Sequence, residues 1–163
     1  MVEMNVSGVI LEPKTKSPIV VLKDADERRA LLIWVGEPEA NAILLGLEEV
    51  KTPRPLTHDL FRNTLQTLGA TLRRIRISEM RDNTFFAELV IDRDGQESVV
   101  DSRPSDAIAL ALRFHAVIEV AEDVMATSAI PINKAEEEVE AEQFRQFLDQ
   151  VKPSDFGKYG GAS

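Results

Sequence analysis

Short apolar runs rich in β-branched residues occupy the first part of the chain and are separated by polar turns. Residues 3–11, 18–24 and 29–35 each have the length and composition of a β-strand. Turn-forming residues lie between the first two runs, and charged residues lie between the second and third. Because consecutive strands with short connections pair antiparallel, the pattern predicts a three-stranded meander.

Two helical segments follow the third strand. Glu37 and Pro38 suit the first turn of a helix that is expected to continue to about Val50. Thr57 is expected to cap the second helix, because its hydroxyl can accept a hydrogen bond from a free amide. Gly69 is expected to end that helix.

The middle of the chain returns to an alternating pattern. Residues 71–80 alternate polar and apolar side chains, and residues 84–92 are typical of an antiparallel partner strand. The Asp94-Gly95 pair favours a tight turn into a further strand over residues 96–101. These three segments therefore predict two consecutive hairpins.

A third helix begins at Pro104, where the missing backbone N–H costs nothing. Residues 107–112 are apolar on every side, so this helix is expected to be covered on most faces and to lie at the centre of the fold. A short strand is expected at residues 117–120, followed by a partly apolar segment.

The predicted fold class is α+β. We expect a single domain over residues 1–132, with a mixed, largely antiparallel β-sheet packed by helices. An acidic C-terminal helix is expected over residues 133–151, and its acidic run is typical of a solvated helix face. A glycine- and serine-containing flexible tail is expected over residues 152–163.

Composition narrows the classes of function. The 163 residues include no cysteine, which excludes disulfides and thiolate metal sites. No apolar run is long enough for a membrane span and no secretory signal pattern is present, so a cytoplasmic protein without a membrane partner is expected. The net charge of −9 argues against broad, non-specific binding of nucleic acid, although one face of the protein could still be basic.

Candidate chemistry is concentrated at two similar corners, PRPLTHD at residues 53–59 and DSRPSD at residues 101–106. The named patterns of nucleotide-binding loops, zinc proteases and serine hydrolases are absent from the sequence. Each corner places Arg-Pro ahead of a helix whose first turn contains an aspartate. If the two helix starts lie side by side, they bring together Arg54, His58, Asp59, Asp101, Arg103 and Asp106.

Such a cluster has the chemistry for phosphodiester cleavage. Asp59 and Asp106 are candidate ligands of Mg²⁺ or Mn²⁺, and a bound water would supply the nucleophile. The candidate catalytic residues are His58, Asp59, Asp101 and Asp106. The candidate substrate-binding residues are Arg54, Arg103, Ser105, Arg74 and Arg76.

Several of these residues also have a purely structural interpretation. A lone histidine in a first helical turn, such as His58, is more often a hydrogen-bonding surface group than a ligand. Asp59 and Asp106 occupy positions where aspartates stabilise helix starts, and a neighbouring arginine often pairs with such an aspartate. Arg74 and Arg76 belong to a basic patch that could follow a phosphate backbone, but a solvated strand face or a subunit contact explains it equally well.

The segments PRPLTHDLF and DSRPSDAIALALR, together with the strand end LLIWVG, resemble the bifunctional nuclease family over roughly residues 1–132. The resemblance implies an α+β domain with a mixed, largely antiparallel sheet, often forming homodimers, and cleavage of both DNA and RNA. The matching motif residues are Arg54, Pro55, Thr57, His58, Asp59, Ser102, Arg103, Pro104, Ser105 and Asp106.

Two hypotheses follow. The first is a nuclease that hydrolyses DNA and RNA with low sequence preference and with the assistance of a divalent metal. The second is a non-catalytic, dimeric binding or regulatory module in which the two corners only stabilise the fold.

Overall fold

A computed structural model provides the structure of the protein and describes residues 1–133 together with residues 142, 143, 145 and 146. Met1–Pro131 forms one compact unit, and Ile132–Ser163 forms a second. The four described positions after residue 133 are helical and exposed. The remainder of the predicted acidic helix and the predicted tail lie outside the described residues.

The elements of the first unit follow the predicted order closely. Its helices are α1 (Glu37–Leu47), α2 (Thr57–Thr67), α3 (Pro104–Phe114) and α4 (Glu122–Ser128). Its strands are β1 (Val2–Leu11), β2 (Pro18–Asp24), β3 (Arg29–Trp34), β4 (Ala70–Arg81), β5 (Thr84–Arg93), β6 (Gln96–Ser102), β7 (Val117–Val120) and β8 (Ile130–Pro131).

The eight strands form one sheet in the order β6-β5-β4-β7-β1-β2-β3-β8. β4 and β7 run parallel, and every other neighbouring pair of this sheet is antiparallel. β1, β2 and β3 form the predicted meander. The predicted α+β class with a mixed, largely antiparallel sheet is therefore confirmed.

One hydrophobic core joins the sheet to three of the helices. Ile75 on β4 is opposite Ile118 on β7, and both are buried with Ile43 of α1 and Val124 of α4. Burying a side chain of this size contributes about 1.5–3 kcal/mol. The α3 residues that enter this core are Ala107, Ile108, Ala109, Leu110 and Ala111.

Helix α3 is the central helix, as its apolar sequence predicts. It packs on β4 and β5 and contacts both α1 and α2. Small side chains at Ala107, Ala109 and Ala111 allow these neighbours to approach closely, since a row of larger residues would hold the backbones apart. The burial of α3 thus brings the beginnings of α1 and α2 near its own beginning.

Several local predictions need correction. α1 ends at Leu47 rather than near Val50, and Leu56, not Thr57, is the N-cap residue of α2. The carboxylate of Asp59 accepts a hydrogen bond from the Leu56 backbone N–H at the start of α2, in place of the capping hydrogen bond expected from the Thr57 hydroxyl. α4, within the segment read as partly apolar, was not predicted.

Candidate active site

The first turns of three helices supply a connected group of polar side chains. Glu39 lies in the first turn of α1, His58 in the first turn of α2, and Asp106 in the first turn of α3. The backbone amides of a first turn carry partial positive charge. Three such helix starts make this part of the molecule favourable for negative charge.

His58 and Asp106 are in direct contact. The distance from Nε2 of His58 to Oδ1 of Asp106 is 2.9 Å, and the His58 side chain is only 16% exposed. Burial by itself raises the pKa of Asp106, but hydrogen bonds from Arg103 and His58 outweigh that effect and lower the pKa below 3.8. An ionised carboxylate can only accept, so Nε2 donates and Nδ1 is left to accept a proton.

Arg103 extends the contact in the other direction. Its Nε donates to Oδ2 of Asp106 at 2.8 Å, and its Nη1 donates to Oε1 of Glu39 at 3.1 Å. The hydrogen bond with Asp106 is the main reason that the pKa of Arg103 is raised. Because the Arg103 side chain is 63% exposed, its guanidinium stays charged and accessible to an anion from solvent.

Asp59 faces a different partner. Its Oδ1 accepts from Nε of Arg113 at 2.8 Å, and Arg113 also donates from Nη1 to the backbone oxygen of Ala109 at 2.8 Å. Burial alone would raise the pKa of Asp59, but the hydrogen bonds from Arg113 and Leu56 lower it. A Cβ at Gly46 would lie 2.8 Å from Nη1 of Arg113, so glycine leaves the space that this guanidinium needs.

The Arg113–Asp59 pair therefore fixes α2 on α3. Arg113 is only 5% exposed and Asp59 is 19% exposed, so water screens the pair little. His58 is the neighbour of Asp59 in α2, and this anchor sets the position from which the imidazole reaches Asp106.

A cleft of about 750 Å³ opens beside Arg103. Ser105 lines it and is only 7% exposed, and its hydroxyl has no hydrogen-bond partner among the described residues. The cleft is also lined by Trp34, Gly36, Glu39, Met80 and Phe85.

The remaining residues of the two corners lie outside this contact network. Arg54 is exposed, and its side chain makes no ion pair with any described residue. Asp101 is exposed on β6, and within residues 1–133 its carboxylate has no hydrogen-bond partner. The structure thus joins His58, Arg103 and Asp106 but leaves these two side chains free in solvent.

The basic patch on β4 is paired with acidic neighbours. Arg74 lies 3.3 Å from Oε1 of Glu97, and Arg76 lies 3.3 Å from Oε2 of Glu119. The two further pairs of this patch are Arg73 with Asp92 and Arg81 with Glu79. A phosphate backbone would have to compete with these carboxylates for the arginines.

The donor groups do not form a ready cation site. Within the described part of the chain, no group of three or more His, Asp and Glu side chains is close enough to hold a metal ion. All four carboxylate oxygens of Asp59 and Asp106 accept hydrogen bonds from other groups of the protein. A metal ion on these two residues would require both ion pairs with arginine to open.

Sequence reasoning missed two members of the network, Glu39 and Arg113. Glu39 lies in the first turn of α1, where acidic residues are common, and Arg113 follows the apolar residues of α3, so neither stands out in the sequence. One signal was present: Arg113 follows Asp106 by two helical turns, so the two side chains share a face of α3.

A mixed, largely antiparallel sheet packed by helices, with helix starts that present a His–Asp–Arg group, offers positive charge and hydrogen-bond donors to an anion. The sequence model of the bifunctional nuclease domain matches residues 20–133. The chain belongs to the bifunctional nuclease domain family.

Individual relatives extend this comparison. The chain is 40% identical over 164 residues to the uncharacterized protein Rv1829 of Mycobacterium tuberculosis, covering 96% of this chain and 98% of that protein. It is 28% identical over 143 residues to Bifunctional nuclease of Oryza minuta, covering 83% of this chain and 43% of the plant protein. Bifunctional nuclease 1 of Arabidopsis thaliana is 29% identical over 123 residues, which cover 73% of this chain and 38% of that protein.

Among the residues described by the structure, every helix is too short or too polar to cross a membrane.

Proposed function

We propose that this protein is a nuclease that hydrolyses phosphodiester bonds of DNA and RNA with low sequence preference. Membership of the bifunctional nuclease domain family and the names of the plant relatives support the class of reaction. The contact of 2.9 Å between His58 and Asp106 is the observation that carries the assignment of the site. A histidine oriented by a carboxylate is a common arrangement for general acid–base catalysis.

In the proposed reaction, Nδ1 of His58 accepts a proton from the attacking water. The water oxygen forms a bond to phosphorus, the ester P–O bond to the leaving oxygen breaks, and the proton returns from His58 to that oxygen. Asp106 stabilises the imidazolium that exists between these two transfers and holds the ring orientation. The same steps apply to DNA and RNA because they do not use the 2′-hydroxyl.

Arg103 supplies positive charge for the phosphate. Its exposed guanidinium lies beside the carboxylate that orients His58, so a phosphate held there would be close to the imidazole. Arg54, also exposed, is proposed as a second phosphate contact, and Ser105 as a hydrogen-bond donor in the cleft. Contacts directed to phosphates carry little sequence information, which accounts for low sequence preference.

The proposal also includes Asp101, Arg74 and Arg76. Asp101 would have to reach the cluster from the exposed edge strand β6. Arg74 and Arg76 would have to exchange their carboxylate partners for phosphates.

Assistance by Mg²⁺ or Mn²⁺ is a second form of the proposal. Asp59 and Asp106 would supply the oxygen ligands after releasing Arg113 and Arg103, and the ion would polarise the phosphate. Cleavage that stops with EDTA and returns with added metal supports the metal-assisted mechanism. Cleavage that persists in EDTA supports acid–base catalysis by His58 without a metal.

A cytoplasmic location and a homodimer complete the proposal. α2 supports the dimer, because none of its residues is buried and several large apolar side chains on or beside it are exposed. These residues are Leu56, Leu60, Phe61 and Leu68. Sedimentation velocity of the full chain tests the dimer.

The nuclease proposal itself is tested by incubating the purified full chain with end-labelled single-stranded DNA and RNA. Fragmentation by wild type and its loss in His58→Ala would support the proposed site.

A further inference from the structure

The cleft beside Arg103 contains an unusual surface residue. Trp34 is the only tryptophan of the sequence and the last residue of β3, and it is 55% exposed. Its Nε1 donates a hydrogen bond to Glu12 at 3.4 Å. An indole left largely in water forgoes the stabilisation that burial would give, and such rings commonly mark a binding surface.

The walls of the cleft combine apolar and polar groups. Phe85 and Met80 come from the β4–β5 hairpin, and Ile130 comes from β8. Arg103 and Ser105 at the start of α3 close one side, and the Ser105 hydroxyl has no hydrogen-bond partner within the described residues. A flat apolar ring, a cationic guanidinium and an unused hydroxyl are thus brought into one cavity.

This combination fits one part of a nucleic acid well. A base offers a flat π-face for stacking on an aromatic side chain and polar edges for hydrogen bonds, and its phosphate offers charge to an arginine. The volume of about 750 Å³ lies within the range of small-ligand cavities. Inside a duplex, the faces of a base are covered by its neighbours, so only an unstacked base could enter.

We propose that this cleft is a base-binding subsite for single-stranded nucleic acid, in which Trp34 stacks on one base while Arg103 contacts the adjoining phosphate. The subsite deepens the proposed function, on which its choice of ligand rests. Arg103 both lines the cleft and donates a hydrogen bond to Asp106, so the same guanidinium borders the proposed base subsite and the His58–Asp106 pair.

Because Trp34 is the only tryptophan, its fluorescence reports occupancy of the cleft directly. The probe is an oligothymidylate of about ten nucleotides, a length within the range of single-strand sites. An abasic oligomer of equal length is the matched ligand control. The protein is the full-length His58→Ala variant. This variant keeps the cleft but lacks the imidazole proposed to accept the proton from water, so cleavage does not disturb the titration.

The subsite predicts saturable quenching by oligothymidylate and much weaker quenching by the abasic oligomer. In anisotropy measurements with labelled oligothymidylate, Trp34→Ala should weaken binding by about 5- to 150-fold, the equivalent of one stacked base. Trp34→Phe should keep most of the affinity. Val99→Ala, which truncates an exposed apolar side chain on β6, should leave it unchanged.

Three results would overturn the subsite: no binding of oligothymidylate, binding without quenching, or equal affinity in Trp34→Ala and wild type. Quenching by oligothymidylate together with an inactive wild type would uphold the subsite and refute the nuclease proposal. Cleavage by wild type without quenching of Trp34 fluorescence by oligothymidylate would support the nuclease proposal and refute the subsite.

Discussion

Nε2 of His58 lies 2.9 Å from Oδ1 of Asp106, which is 48 positions later in the chain. The contact joins the first turns of α2 and α3, and it exists because both helices are held against each other by packing and by the buried Arg113–Asp59 pair. The two carboxylate oxygens of Asp106 thus accept hydrogen bonds from His58 and Arg103. No hydrogen bond from a side chain caps the start of α3.

Replacing Asp106 tests the orienting role. Asp106→Asn keeps the size of the side chain but removes the negative charge that stabilises the imidazolium. We expect kcat/KM for cleavage of single-stranded DNA to fall by about 100- to 10,000-fold. The loss of free energy of unfolding should stay below about 2 kcal/mol, which thermal melting measures.

Asp26→Asn is the matched control for that substitution. Asp26 is exposed in the turn between β2 and β3, so the same chemical change should leave both activity and melting temperature at the wild-type values. Equal activity in Asp106→Asn and Asp26→Asn would contradict a role for Asp106 in the reaction.

The negative charge of Glu39 is predicted to weaken the attraction of Arg103 for nucleic acid. Glu39→Gln removes a negative charge 3.1 Å from the guanidinium, so affinity for single-stranded DNA at low salt should rise severalfold. Gly36→Ala should produce the same effect indirectly, because its Cβ would clash with Oε2 of Glu39 and displace the carboxylate. Fluorescence anisotropy measures both, and weaker binding in both variants would show that the Glu39–Arg103 pair assists the substrate.

The Arg113–Asp59 pair is predicted to be structural. Arg113→Met leaves the Asp59 carboxylate without its partner in a poorly hydrated place and should lower the free energy of unfolding by about 3 kcal/mol. Asp59→Asn, combined with it, should recover part of that loss, giving a coupling energy of about 1–3 kcal/mol in urea unfolding. Strictly additive losses would mean that the two side chains do not depend on each other.

The same pair predicts how stability depends on pH. The pKa of Asp59 is lower in the folded protein than its ordinary 3.8, so the protein gains stability above that pH and loses it as the pH falls through the folded value. The melting temperatures of wild type and Asp59→Asn should therefore differ most near neutral pH and converge below about pH 3.8. A difference that stays constant across this range would assign the effect of Asp59 to packing.

Local signals explain why so much of the fold could be predicted. Strand alternation, Pro104 at the first position of α3 and the uniformly apolar residues 107–112 each depend on neighbours in the sequence. The error at Thr57 has the same origin, because residue preference favours threonine over leucine as an N-cap, whereas the observed N-cap is Leu56, which has an extended backbone and whose N–H donates to Asp59. α4 is only seven residues long, and its apolar residues are too few to show helical periodicity.

The site was harder to predict because its contacts are long-range. The similarity of the two corners and the pairing of Arg103 with the nearby Asp106 could be anticipated from sequence, but the contacts of Arg103 with Glu39 and of Asp59 with Arg113 could not. Glu39 lies on α1 and Arg113 at the far end of α3, and only the packing of α1, α2 and α3 brings them into contact. The pairing of Arg74 and Arg76 with acidic neighbours likewise depends on which strands are adjacent in the sheet.

The most direct test of the central claim compares wild type and His58→Ala in cleavage of end-labelled single-stranded DNA and RNA. Both proteins are purified in parallel, melted to confirm equal folding, and assayed with added Mg²⁺ and with EDTA. The proposed mechanism predicts fragmentation of both substrates by wild type and a loss of at least about 100-fold in His58→Ala. Equal cleavage by the two proteins, or none by either, would contradict the claim that the His58–Asp106 pair catalyses phosphodiester hydrolysis.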